Sequence, residues 1–415
     1  MPIEIIGFRR SIILGQNSYT LRSYQDTVPG VPRVTAKVPT AGSKTFIACN
    51  AIDVIFKNLP PRDTKVVTWF VPSDTILTQT LSNLRNPQHP YRQRLNALFN
   101  NRVAIVDKES ALRGTDISPQ QVTEQLTVFV LSAASFVETM RGEGLPRAFR
   151  DNGNLDAYAQ QIESFDTRIE RAGPTALIQV INHLNPVVIV DESHNFTSDL
   201  RDDMLAKVNP CFIYELTATP REQSNIISFV EAKSLKEENM VKLPVIVHND
   251  QSRDAVFGNA ITLRNNLEKQ AEASHRKGGD YIRRIVLFQA QPRTEEDSET
   301  FDKIKQILIE QFEIPENQIA IKTAIINQLK NVNLLSEDCQ IRYIITVNAL
   351  KEGWDCPFAY ILASLANRTS RIDVEQILGR ILRQPYARKQ PSGFLNMSYT
   401  FTNSTNFGET LESII

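Results

Sequence analysis

Lys44 and Thr45 close a loop of small residues, Pro39-Thr40-Ala41-Gly42-Ser43, which follows the apolar run 34–38 and precedes a helix-compatible stretch at 46–52. A strand, a small-residue loop, a Lys-Thr pair and a helix together suit a nucleoside triphosphate. Backbone N–H groups and the helix N-terminus hold the phosphates, the lysine reaches the β- and γ-oxygens, and the hydroxyl ligates Mg2+. Thr40, Gly42, Ser43, Lys44 and Thr45 therefore form a candidate phosphate cradle for ATP. Taken alone, the segment equally fits a small-residue turn capping a helix, because Val38 and Ser43 stand where the strict phosphate-loop pattern has glycine.

A second constellation supplies what the first lacks. The apolar run Val188-Ile189-Val190 ends in two adjacent acids, Asp191 and Glu192, followed by Ser193 and His194. An exposed acid at a strand end can bind the metal, and its neighbour can take a proton from the attacking water. Asp191 is the candidate second metal ligand beside Thr45, and Glu192 the candidate base. A pair of solvated acids capping a strand is the plainer alternative, and the upstream Lys-Thr loop weighs against it.

Both constellations need strands to carry them. Short apolar, β-branched runs recur at 34–38, 65–71, 103–106, 126–131, 186–190 and 211–216, then again at 284–289, 318–322, 342–347, 358–363 and 395–401. Runs of this length with helix-sized spacers read as buried strands of mainly parallel sheets, an α/β architecture. Ligands of such sheets gather at the carboxyl ends of the strands, where these loops lie. The stretch 237–247 reads as a connection between the two series, with a helix at about 255–277 stopped by Gly278-Gly279. The expected domains are 1–245 and 246–415. The polar stretch 151–171 reads as a surface insertion.

The chain of 415 residues carries 46 Lys+Arg against 47 Asp+Glu, with 41% hydrophobic and 22% charged residues. That composition is globular, long enough for two or three domains, and excludes a generally basic nucleic-acid coat protein while leaving room for a local basic groove. Six basic residues against two acids fall within 365–389, a local excess of positive charge. The four cysteines are far apart with no C-x-x-C pair, so neither a zinc site nor a disulfide framework is indicated, and a reducing cytoplasm fits best. The N-terminus has no secretory pattern, and no apolar run approaches the ~20 residues of a membrane helix.

Asp191-Glu192-Ser193-His194 has the D-E-x-H form of motif II of superfamily-two helicases, and further motifs follow in order. Leu216-Thr217-Ala218-Thr219-Pro220 resembles motif III, the stretch from Thr346 through Asn348 to Asp355 resembles motif V, and Gln376-Ile377-Leu378-Gly379-Arg380-Ile381-Leu382-Arg383 matches motif VI. Gln25, 19 residues before Lys44, resembles the adenine-contacting glutamine. Finer stretches, Trp69 through Leu77, His89-Pro90-Tyr91-Arg92 and Leu350 through Pro357, resemble the Res subunit of type III restriction enzymes and its DEAD/DEAH-box relatives. The resemblance implies two RecA-like domains of P-loop NTPase type that bind ATP in the cleft between them and move on, or switch upon, nucleic acid, with double-stranded DNA as the expected partner. It also implies that Arg380 and Arg383 stabilise the transferring phosphoryl group, that Gln376 couples to the His194 side, and that Asp355 serves the nucleotide. Its nucleic-acid candidates are Pro72, Ser73, Ser132, Gln289, Thr346 and Asn348, whose hydroxyl, amide and backbone groups would contact phosphates without reading bases; for each, capping a loop is an equal alternative.

Two departures stand out. Ser43 replaces the family's glycine, which implies impaired but present hydrolysis. After motif VI only about one strand and a short tail remain, so cleavage by this chain alone is not expected; the chain would be a fragment, or a partner nuclease or modification/specificity subunit would complete it. Glu231-Ala232-Lys233 reads as a surface charge pair rather than a nuclease motif. A non-hydrolysing nucleotide- or DNA-binding scaffold is the rival to the motor reading.

Overall fold

The structure is a computed structural model that describes residues 31–39, 42–132, 146–163, 169, 172–193, 204–291, 300–323, 325–330, 332–347, 356–365 and 371–412. The chain forms two compact units, the division falling between Val230 and Glu231. Among the described residues no helix is long and apolar enough to cross a membrane.

The first unit is built on seven strands: β1 (Arg33–Lys37), β2 (Lys65–Val71), β3 (Val103–Val106), β4 (Leu126–Ser132), β5 (Val187–Asp191), β6 (Phe212–Thr217) and β7 (Ile226–Phe229). They lie in the order β3-β4-β2-β5-β6-β1-β7, and every neighbouring pair is parallel. Side chains alternate between two cores. Phe70, Phe129, Leu131, Val188 and Val190 face one, whereas Val67, Trp69, Val128, Val130 and Ile189 face the other. Burial on both faces is why these strands read as unbroken apolar runs in the sequence. Helix α1 (Lys44–Asn58) packs Ile47, Ala48, Ile52 and Ile55 into the second core, with α2 (Asp74–Arg85) and α3 (Pro90–Leu98) on the same side.

The stretch 151–171 is more integrated than its polarity suggests. Leu155, Tyr158 and Ile162 are buried in the first core, and the Tyr158 hydroxyl donates to the Ile117 carbonyl. Three apolar side chains at helical spacing were the signal, diluted by their polar neighbours.

The second unit is a six-stranded parallel sheet of β8 (Val245–Asn249), β9 (Ile285–Gln289), β10 (Ile319–Lys322), β11 (Tyr343–Thr346), β12 (Ala359–Ser364) and β13 (Ser398–Thr402), in the order β10-β11-β9-β12-β13-β8. Its core joins Val286, Phe288, Ile344, Ile361 and Ala363 to Phe257 of the Arg253–His275 helix and to Ile377 and Ile381 of the Arg371–Leu382 helix. The long helix starts at Ser252, whose hydroxyl accepts from the Ala255 N–H, and Gly278, at φ 85°, lies just beyond its end. Two strands sit where none was expected. β7 and β8 are edge strands with mixed exposure, marked in the sequence only by the short apolar pieces Ile226-Ile227 and Val245-Ile246-Val247, and β8 begins inside the stretch read as a connection.

Candidate nucleotide site and polar strand ends

Because every strand of the first sheet runs the same way, the loop after β1, the Pro72-Ser73 turn, Ser132, Asp191 and Thr217 all lie at one edge. The β5–β6–β1 order brings Asp191-Glu192 toward the start of α1. Lys44 Nζ meets Glu192 Oε1 at 2.7 Å, with the lysine side chain 11% and the glutamate 24% exposed. The turn after β5 holds Glu192 in the left-handed region at φ 48°, and its N–H donates to Asp191 Oδ1 at 3.0 Å. A non-glycine residue costs on the order of 1–2 kcal/mol there, and such strain gathers at functional sites. Asp191 itself is buried, and its carboxyl is pushed up to about 7, first by loss of water, then by the charge of Glu192, against the opposing pull of Lys44 and the Glu192 N–H.

Asp191 and Thr45, the latter half-buried in the first turn of α1, both carry hard oxygen donors. A buried carboxylate that is costly to ionise gains most from a divalent cation, and Mg2+ commonly takes one or two protein oxygens, its remaining ligands coming from water and phosphate. Among the described residues no group of three or more His, Cys, Asp or Glu could hold a metal. Oxygen donors of this type suit Mg2+ when it arrives with a nucleotide.

Ser43 precedes α1 in the left-handed region, at φ 57° and ψ 42°, and its side chain makes no capping hydrogen bond. It pays the steric cost of that conformation without the usual return of a serine cap. Ser43→Gly is expected to raise nucleotide affinity and turnover about 3- to 10-fold, because removing the β-carbon lets the loop backbone approach the phosphates more closely. Equal affinity in calorimetric titration of both proteins would contradict this.

The other candidates fall as follows. Ser73 is the N-cap of α2, its hydroxyl accepting from the Ile76 N–H, and Pro72 beside it is half-buried. Ser132 is buried at the end of β4. His89-Pro90-Tyr91-Arg92 builds α3: the His89 ring caps the helix, Pro90 opens it, and Arg92 donates to the Val103 and Leu84 carbonyls. Arg380 and Arg383, both half-buried, lie in and just after the Arg371–Leu382 helix, and Gln376 falls within that helix. Gln25, Thr40, His194, Asn348 and Asp355 lie outside the described residues. Glu231 and Lys233 are exposed at the start of the Ala232–Glu237 helix.

In the second unit Gln289 and Thr346 occupy one register row at the carboxyl edge, running Lys322, Thr346, Gln289, Ser364, Thr402, Asn249 across all six strands. In the sequence the row is marked only by a polar residue at the end of each strand. Ser364 and Thr402 belong to no motif. In the first unit, Glu215 is buried one residue before the motif III stretch and accepts from Arg33 at 2.5 Å and from the Thr35 hydroxyl at 3.0 Å. These bonds tie β1 to β6 behind the loop that follows β1.

Both units carry a parallel α/β sheet of RecA-like type. Residues 19–222 match the family described as type III restriction enzyme, res subunit. No curated protein matches the chain. Among solved structures, Mss116p lacking its NTE and C-tail, bound to ssRNA and AMP-PNP, is 12% identical with a TM-score of 0.50, and the match covers 94% of this chain and 71% of that one. The Mycobacterium smegmatis helicase Lhr bound to ssDNA and AMP-PNP is 14% identical with a TM-score of 0.49, over 92% of this chain and 46% of that one. The ATP-dependent type ISP restriction-modification enzyme LlaBIII bound to DNA is 14% identical with a TM-score of 0.47, over 89% of this chain. This chain spans only 26% of that enzyme's length.

Proposed function

We propose that the chain is an ATP-dependent nucleic-acid motor core of Res type, with the first unit as the ATP-binding lobe and the second unit as its partner lobe. The observation that carries this reading is the Asp191, Glu192 and Lys44 constellation at the carboxyl edge of a parallel sheet. Lys44 would pass from Glu192 to the β- and γ-phosphate oxygens as ATP enters, supported by backbone N–H groups of the 40–45 loop. Released from its ion pair, Glu192 would accept a proton from the attacking water. Asp191 and Thr45 would hold Mg2+, which neutralises charge on the phosphates when bound. Arg380 and Arg383 would reach the same phosphates from the second lobe on closure, with Gln376 and His194 coupling the two, Gln25 and Asp355 serving the nucleotide, and Pro72, Ser73, Ser132, Gln289, Thr346 and Asn348 lining the nucleic-acid path. The solved proteins of this fold bound to DNA or RNA support a nucleic-acid partner, and the Res family points to duplex DNA.

Steady-state ATP hydrolysis without nucleic acid and with duplex DNA, single-stranded DNA or RNA tests the proposal, at stated salt because phosphate contacts are salt-sensitive. Stimulation by duplex DNA of about 10-fold or more, a step of ~1.4 kcal/mol, is expected. Nucleic-acid binding without any turnover would instead identify a scaffold.

A further inference from the structure

At the carboxyl edge of the second sheet, the Ser364 hydroxyl donates to Gln289 Oε1 at 2.8 Å. Ser364 is fully buried and Gln289 is 4% exposed. The backbone around the pair is fixed by three further bonds: the Leu365 N–H donates to the Gln289 carbonyl at 3.0 Å, the Ala290 N–H to the Thr346 carbonyl at 2.7 Å, and Gln291 Nε2 to the Leu365 carbonyl at 2.8 Å. What the backbone leaves undetermined is which way the Gln289 amide turns, since its oxygen and nitrogen have nearly the same shape.

The Ser364 hydroxyl makes no other hydrogen bond among the described residues, so its buried O–H finds an acceptor only when Oε1 is turned toward it. A turned amide would donate to the oxygen and leave that O–H without an acceptor. With Oε1 occupied, the amide presents Nε2, which has no hydrogen-bond partner among the described residues and is not among the fully enclosed polar atoms. A turned amide would present an acceptor, which repels a phosphate oxygen. We propose that Ser364 is a positioning residue for nucleic-acid binding: it locks the Gln289 amide so that its N–H donors face the phosphodiester backbone. The inference rests on the motor-core reading and extends it to a residue outside every motif. Strand register supports it, since Ser364 and Gln289 are direct partners between β12 and β9, with Thr346 the partner of Gln289 on the other side.

The test is a double-mutant cycle on the full chain, read as affinity for labelled duplex DNA and for single-stranded RNA at one salt concentration. Ser364→Ala is expected to weaken binding about 3- to 10-fold, the range of one hydrogen bond. Gln289→Ala should weaken it at least as much, Ser364→Ala should add nothing in the Gln289→Ala background, and Ser364→Thr should restore the parent value. If Ser364→Ala lowers the melting temperature sharply, Ser364→Cys, which keeps the shape with a weaker donor, makes the comparison. Parent-like affinity in Ser364→Ala, or an equal loss in the Gln289→Ala background, overturns the positioning role while leaving the motor reading intact. A parent protein that binds neither probe overturns both.

Discussion

Glu192→Gln is expected to cut ATP turnover by about 10²- to 10⁴-fold while nucleotide affinity holds or rises, the range assigned to a positioned general base. The substitution keeps the size and hydrogen-bonding outline of the side chain and removes its charge. It therefore ends the 2.7 Å ion pair with Lys44, which becomes available to phosphate oxygens without first leaving a carboxylate. It also removes the repulsion that is the second cause of the raised Asp191 pKa, so metal binding by Asp191 is not lost with it. Affinity and turnover should separate, and that separation marks a residue of the chemical step rather than of binding. Filter-binding of nucleotide beside single-turnover hydrolysis reads both. An undiminished rate would remove Glu192 as the base.

The left-handed backbone at Glu192 bears on the same result. Glycine would sit there more easily, so Glu192→Gly would report on strain as well as charge, whereas glutamine keeps the β-carbon and isolates the charge.

Much of this arrangement could be read before the fold. The runs at 65–71 and 103–106 are strands β2 and β3 residue for residue, because strands buried on both faces must be apolar throughout. β3 obeys that rule although it lies at a sheet edge. β7 and β8 escape it: Phe229 of β7 is 63% exposed, and His248 and Asn249 of β8 are exposed, so only the short pieces Ile226-Ile227 and Val245-Ile246-Val247 mark them. Asp191, Glu192, Lys44 and Thr45 were legible because each closes a strand or opens a helix with a reactive group. The contact between Lys44 and Glu192 was not, since it depends on β6 lying between β5 and β1. Backbone conformation was equally hidden. Nothing in Ser43 or Glu192 as residue types announces φ above zero, and Ser364 looks in the sequence like any polar residue ending a strand.

Asp191→Asn is expected to move two properties in opposite directions: Mg2+-dependent hydrolysis falls by about 10²-fold or more, and the metal-free protein becomes more stable at pH 8 by on the order of 2–4 kcal/mol. The sign follows from proton binding. The carboxyl titrates near 3.8 in an open chain and near 7 in the fold, so between those values the folded state holds a proton that the unfolded state has released. Its stabilising effect is complete below the lower value, declines as pH rises across the interval, and is gone above the upper one. Asparagine does not titrate, so the variant's advantage should be small at pH 4 and full at pH 8, in urea melts with divalent metal chelated. Adding Mg2+ and nucleotide should then stabilise the parent far more than the variant, because binding to the folded state alone shifts the equilibrium by mass action. An acid that merely capped β5 through the Glu192 N–H would behave the other way, losing stability at pH 8 with the loss of its charge-assisted hydrogen bond. A fall in pH 8 stability for Asp191→Asn would therefore assign Asp191 to the scaffold and leave Thr45 without its partner for the metal.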